Sequence, residues 1–86
     1  MTDQGQISYL PYEQALKIVG AIQEEEHPHE INRRIFTVYD INGKEVCWFD
    51  AEDTIALVAP GRVNPKKTEV QPLVEKYILN HIPDWS

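Results

Sequence analysis

Cysteine is nearly missing from this chain: among 86 residues only Cys47 carries a thiol. A lone thiol closes no internal disulfide, so a disulfide-stapled secreted scaffold is excluded and a reducing, cytoplasmic setting is expected. Serine is almost as scarce. Ser8 and Ser86 are the two hydroxyls of that kind, and neither stands in a glycine-flanked elbow. Cys47 lies inside a strand-like run with no base beside it, which reads as a small buried hydrophobe rather than a nucleophile. No catalytic residue is assigned, and an enzyme is not expected.

Positive charge is also in short supply. Eight Lys and Arg face 14 Asp and Glu, for a formal charge of −6, which argues against unspecific attraction to nucleic acid or an anionic membrane and favours a basic partner. Apolar runs are too short to span a bilayer, and Met1 to Gln6 lacks the basic-then-apolar pattern of a signal peptide. No membrane association and no cofactor motif is read.

What the chain does have is enough material for one small domain over residues 1–86, with residues 1–6 as a loose N-terminus. A domain of this size buries roughly 60 to 65% of its unfolded surface, so association into a homodimer is an expected supplement to its stability.

The clearest local signal is IFTVYDINGKEVCWFD, residues 35–50, two strand-like runs around Asn42-Gly43. Both turn residues can take positive φ, so a two-residue type I′ turn is expected. That turn sets Tyr39 opposite Val46, Thr37 opposite Trp48 and Ile35 opposite Asp50, with Val38 meeting Cys47 and Phe36 meeting Phe49. One face then holds Phe36, Val38, Cys47 and Phe49. The other holds Ile35, Tyr39, Ile41, Val46 and Trp48. With both faces apolar, each needs a cover.

Around the hairpin, Tyr12, Ala15, Leu16, Val19 and Ile22 recur at helical spacing, and the pattern predicts an amphipathic helix from Pro11 to about Glu25. Gly20 within it either is tolerated or marks close approach of another backbone. Pro28 ends the element near Glu26. Residues 50–61 carry both helix-start and strand signals, and a third strand is favoured over a helix there. The segment GRVNPKKTEVQ reads as a loop, with 68–70 extended. Gln71-Pro72 then opens a last helix with the stripe Leu73, Val74, Tyr77, Ile78, His81 and Ile82, stopped by Pro83, and Trp85 is expected to dock. The expected fold is a two-layer α+β domain of N-terminal helix, antiparallel hairpin extended to about three strands, and C-terminal helix. That plan recurs in immunity proteins, antitoxins and phage-encoded inhibitors, though no motif here belongs to any one of them.

Two binding patterns stand out. In the first, the face of Ile35, Tyr39, Ile41, Val46 and Trp48 docks another protein, steered by Glu24, Glu25, Glu26 and Glu30 toward a basic surface, including that of a nucleic-acid-handling protein. The competing reading has the C-terminal helix simply packed on that face. In the second, Arg33, Arg34, Arg62, Lys66 and Lys67 form an anion-binding patch for a nucleotide or nucleic acid, with Tyr39 and Trp48 as a stacking surface. His27 and His29, two apart among acids, are weak metal candidates without a matching second pair. His81 on the helical stripe reads as packing. The expected function is that of a small acidic, non-catalytic module that binds and regulates or inhibits another protein.

Overall fold

In the computed structural model, described for residues 8–61 and 65–84, the chain runs α1 (Tyr12–Ile18), β1 (Val19–Glu26), β2 (Arg34–Asp40), β3 (Glu45–Asp50), α2 (Ala51–Val58) and α3 (Lys67–Leu79). The strands form one antiparallel sheet in the order β1-β2-β3. The α+β class and the central hairpin match the sequence pattern. The expectations placed on residues 1–7, on Arg62 and on Trp85-Ser86 lie outside the described residues.

The third strand comes from the other side of the hairpin than expected. The N-terminal helix stops after seven residues, and residues 19–26, expected to continue it, pair with β2 instead. Val19 and Ile22 are β-branched and lose little in an extended chain. Gly20 decides the join: a Cβ there would lie 2.5 Å from the carbonyl oxygen of Asp40, so only glycine lets the two backbones meet at the bulge between Val19 and Ala21.

Residues 51–58, expected as a strand, form α2. Asp50 settles it by capping: its Oδ1 accepts the backbone N–H of Asp53 at 3.0 Å, while the Thr54 hydroxyl donates to the Asp50 carbonyl at 2.8 Å. Glu52 and Asp53 in the first turn add favourable charge at the positive end of the helix. The last helix starts at Lys67, four residues ahead of the expected opening, so 68–70 is helical and Pro72 lies within the helix. Val70 explains the early start, because it is buried in line with Val74 and Ile78.

The hairpin turn also differs. Asn42 does not take positive φ; Gly43 does, at 82°. The Gly43 N–H donates to the Asp40 carbonyl, the Asp40 N–H donates to the Lys44 carbonyl, and Asp40 Oδ1 accepts the N–H groups of Asn42 and Lys44 at 2.8 and 2.9 Å. An aspartate that ties down the turn in this way selects a three-residue loop with glycine in the left-handed position. The pairs from Ile35–Asp50 to Val38–Cys47 are those expected, but Tyr39 then faces Glu45, not Val46, because β3 holds one extra residue.

The core lies on one side of the sheet. Val38, fully buried in the central strand, packs in one cluster with Ala15 of α1, Val70, Val74 and Ile78 of α3, and Ala59 and Ile82. Ile22, Phe36, Cys47 and Phe49, on the same inner face by register, pack against it, as do Ile55 and Val58. Each fully buried isoleucine, Ile78 and Ile82, contributes up to about 3 kcal/mol of transfer free energy. The segments at residues 8–10 and 82–84 are tied together, as Leu10 N–H donates to the Ile82 carbonyl and Asp84 N–H to that of Ser8. Among the described residues no helix is long and apolar enough to cross a membrane.

Candidate functional site

The other face of the sheet, called the outer face below, carries three rows of side chains set by register: Glu25–Ile35–Asp50, Gln23–Thr37–Trp48 and Ala21–Tyr39–Glu45. Among the described residues neither α1 nor α3 packs on it, since their buried residues belong to the cluster around Val38 on the inner face. The C-terminal helix therefore does not cover Tyr39 and Trp48. The face instead roofs itself with its own side chains. Thr37 is 1% exposed and Ile35 4% exposed, although both point away from the core cluster.

Glu25 forms much of that roof. Its Oε1 accepts the Thr37 hydroxyl at 2.7 Å and its Oε2 accepts the Tyr39 hydroxyl at 2.6 Å. The bond from Tyr39, then that from Thr37, holds the Glu25 carboxyl below its usual range, and the same bond to Glu25 pushes the Tyr39 phenol upward. Trp48 remains 41% exposed, and its ring meets His27 edge to face at 5.2 Å between centroids. His27 is fixed by the β1–β2 connection, because its Nδ1 accepts the backbone N–H groups of His29 and Glu30 at 3.0 and 3.1 Å.

The five apolar residues assigned to one hairpin face are dispersed. Tyr39 and Trp48 are on it and partly open. Ile35 is on it but buried, Val46 turns at the bulge to pack against the core, and Ile41 sits 70% exposed in the turn. The four glutamates separate too. Glu24 faces inward, where it accepts Arg34 Nε at 2.8 Å and lies 3.3 Å from Lys67 Nζ. Partial burial pushes its carboxyl up, but hydrogen bonds from Lys67 and Arg34 outweigh that and hold it low. Glu26 is exposed at the end of β1 opposite Arg34, and Glu30 lies 3.5 Å from Arg33.

Of the cations of the second pattern, Arg33, Arg34 and Lys67 are each held by carboxylates. Arg33 donates to Asp50 Oδ2 through Nε at 3.0 Å and Nη2 at 2.7 Å, and lies 3.4 Å from Glu52. Asp50 thus caps α2 with one oxygen and anchors the β1–β2 connection with the other. The Asp53 N–H and then Arg33 hold its carboxyl low, while Asp50 raises the arginine. Arg34 and Lys67 share Glu24, Lys66 precedes α3, and Arg62 is outside the described residues.

The histidine pair gives no converging ligand set. His27 Nδ1 is occupied by its own backbone, His29 is exposed, and among the described residues no group of three or more His, Cys, Asp or Glu could hold a metal ion. His81 stacks on Tyr77 at 4.1 Å and bonds the Tyr77 carbonyl through Nδ1. Cys47 sits half-buried on the inner face, where burial, with help from Glu45, pushes its thiol up to about 11, far from a reactive thiolate.

Sequence reasoning missed Ala21, Gln23 and Glu45 as members of the outer face. Ala21 and Gln23 were hidden inside the apparent helix, and Glu45 came onto the face only through the bulge. Comparison with known proteins gives no matching family model, no matching curated protein and no matching solved structure.

Proposed function

We propose that the protein is a non-catalytic module that binds and regulates another protein through the outer face of its sheet. One observation carries the reading: α1 and α3 lie on the inner face, and the outer face carries a 41% exposed tryptophan and a half-buried tyrosine. Large, rigid aromatic rings offer contact area at low entropic cost, and they concentrate binding energy at interfaces. A cytoplasmic setting fits the single half-buried cysteine.

A photo-crosslinking residue placed at Gln23, on the outer face, and separately at Glu75, on α3, tests this in cells. The expected result is a discrete adduct from position 23 that is absent from position 75 and is lost with Trp48→Ala. Identical adducts from both positions, or none from 23, would count against the reading. Light scattering on the purified protein shows whether the adduct partner is a second copy.

A further inference from the structure

The acidic side chains divide according to whether a cation reaches them. Glu24 is met by Arg34 and Lys67, while Glu30, Asp50 and Glu52 share Arg33. Several other acids, Glu25 and Glu45 among them, have no Lys, Arg or His of the described residues within ion-pair distance. Both belong to the outer face. Glu25 holds the Tyr39 hydroxyl, and Glu45 is the register partner of Tyr39 on the opposite strand. Beside them stands the exposed part of Trp48, facing Thr37 one row away.

Two unneutralised carboxylates on the same sheet face as two partly open aromatic side chains define a charge for what could lie there. A cation is attracted to the ring faces and to the carboxylates together, and a planar guanidinium stacks on an aromatic ring more readily than a strongly hydrated ammonium does. Each oxygen of Glu25 accepts one hydroxyl in the structure and keeps a lone pair for a second donor. Room exists alongside. Beyond Tyr39 the surface dips into a depression of about 400 Å³ lined by Gly20, Ala21, Gln23, Tyr39 and Asp40, shallow-walled because Gly20 and Ala21 are small.

We infer that the outer face accepts an arginine side chain of the partner protein, its guanidinium laid against Trp48 and Tyr39 within reach of Glu25 and Glu45. This rests on the interaction-module reading and specifies the partner's chemistry. The chain around the arginine extends over the depression beyond Tyr39. Among the described residues the protein's own arginines do not supply the group, since Arg33 and Arg34 are both held by other carboxylates.

The test is a titration followed by two-dimensional NMR at low salt, with the Trp48 indole signal assigned by a Trp85→Phe variant. The probes are acetyl-Gly-Arg-Gly-amide and the same peptide with lysine or citrulline in place of arginine. The arginine peptide should give saturable movement of the Trp48 indole N–H and of the Glu25 and Tyr39 amides. Binding should be several-fold weaker with lysine and absent with citrulline, whose side chain has the shape without the charge. Replacing both acids by Glu25→Gln and Glu45→Gln, which keeps their size, should weaken it about tenfold. A well-dispersed spectrum of that variant shows that the fold is kept. No movement of the indole with the arginine peptide, or equal movement with citrulline, would overturn the inference. If position 23 still crosslinks a partner in that event, the guanidinium falls and the docking face stands; if both experiments fail, both fall.

Discussion

The inner and outer faces of the same three strands solve the problem of burial in different ways. On the inner face, aliphatic and aromatic side chains meet three helices, and Val38, Ile78 and Ile82 lose all contact with water. On the outer face neither α1 nor α3 arrives, and Thr37 is nevertheless sealed, its hydroxyl held by the Glu25 carboxylate. The lesson is that a small sheet can hide its central strand from water with a polar roof. Such a roof is held by hydrogen bonds and ring contacts, so its outermost members stay available for another molecule in a way that core residues cannot.

That contrast can be broken most sharply by truncating one residue on each side. Ile78→Ala should cost about 2–5 kcal/mol of unfolding free energy, close to the whole stability of so small a domain. Trp48→Ala should cost only about 1 kcal/mol, mainly the lost ring contact with His27. Urea unfolding followed by circular dichroism reads both. Equal losses would mean that the tryptophan is a core residue.

The join between α1 and β1 comes next in size. Gly20→Ala places a methyl 2.5 Å from a backbone oxygen, and relief requires moving β1 against β2, so about 1–3 kcal/mol should be lost. A neutral or stabilising effect in the same urea assay would show that residues 19–26 are helical after all.

Asp50 links the two faces, because it caps α2 and also fixes Arg33. Asp50→Ala should cost about 1 kcal/mol or somewhat more at pH 7. The sign with pH follows from carboxyls held low in the folded state: Asp50, Glu24 and Glu25 stabilise the fold above their unfolded pKa values near about 4, and that contribution is lost as the pH falls through the lower folded values. The urea midpoint of the wild type should therefore drop between pH 5 and 2, roughly the window those values span, and drop less in the variant. An identical pH profile for the two proteins would remove Asp50 from the account.

The smallest effect separates the two turn types. Gly43→Ala should lose about 1 kcal/mol, because φ is 82° there, whereas Asn42→Ala should change little, because Asn42 is not left-handed. Comparable losses at both positions would restore the two-residue turn.

Much of the fold was legible where side-chain pattern and local chemistry agreed. The hairpin pairs from Ile35–Asp50 to Val38–Cys47 follow from alternation around a glycine turn, and Val74 and Ile78 follow from helical spacing. The remainder turned on partners that a linear reading does not supply. Val19 and Ile22 fit a helical stripe and a strand equally well, and it was the open edge of β2, together with Gly20, that chose the strand. Asp40 overrode Asn42 by accepting two backbone N–H groups with its carboxylate, which shifted Glu45 onto the outer face and turned Val46 off it. Of the candidate site, the Trp48 and Tyr39 pair was legible as strand neighbours. Glu25, read as a charge that steers a basic partner, became a buttress for Tyr39 once β1 was known to lie beside β2.

The division of the sheet into a face covered by α1 and α3 and a face that neither reaches is tested most directly by side-chain proton contacts in solution. In a nuclear Overhauser spectrum of the isolated protein, the rings of Trp48 and Tyr39 should show cross-peaks to His27, Thr37 and other neighbours on the sheet, and none to the side chains of α1 or α3. Cross-peaks from the Trp48 indole to Val70, Val74 or Ile78 would contradict it.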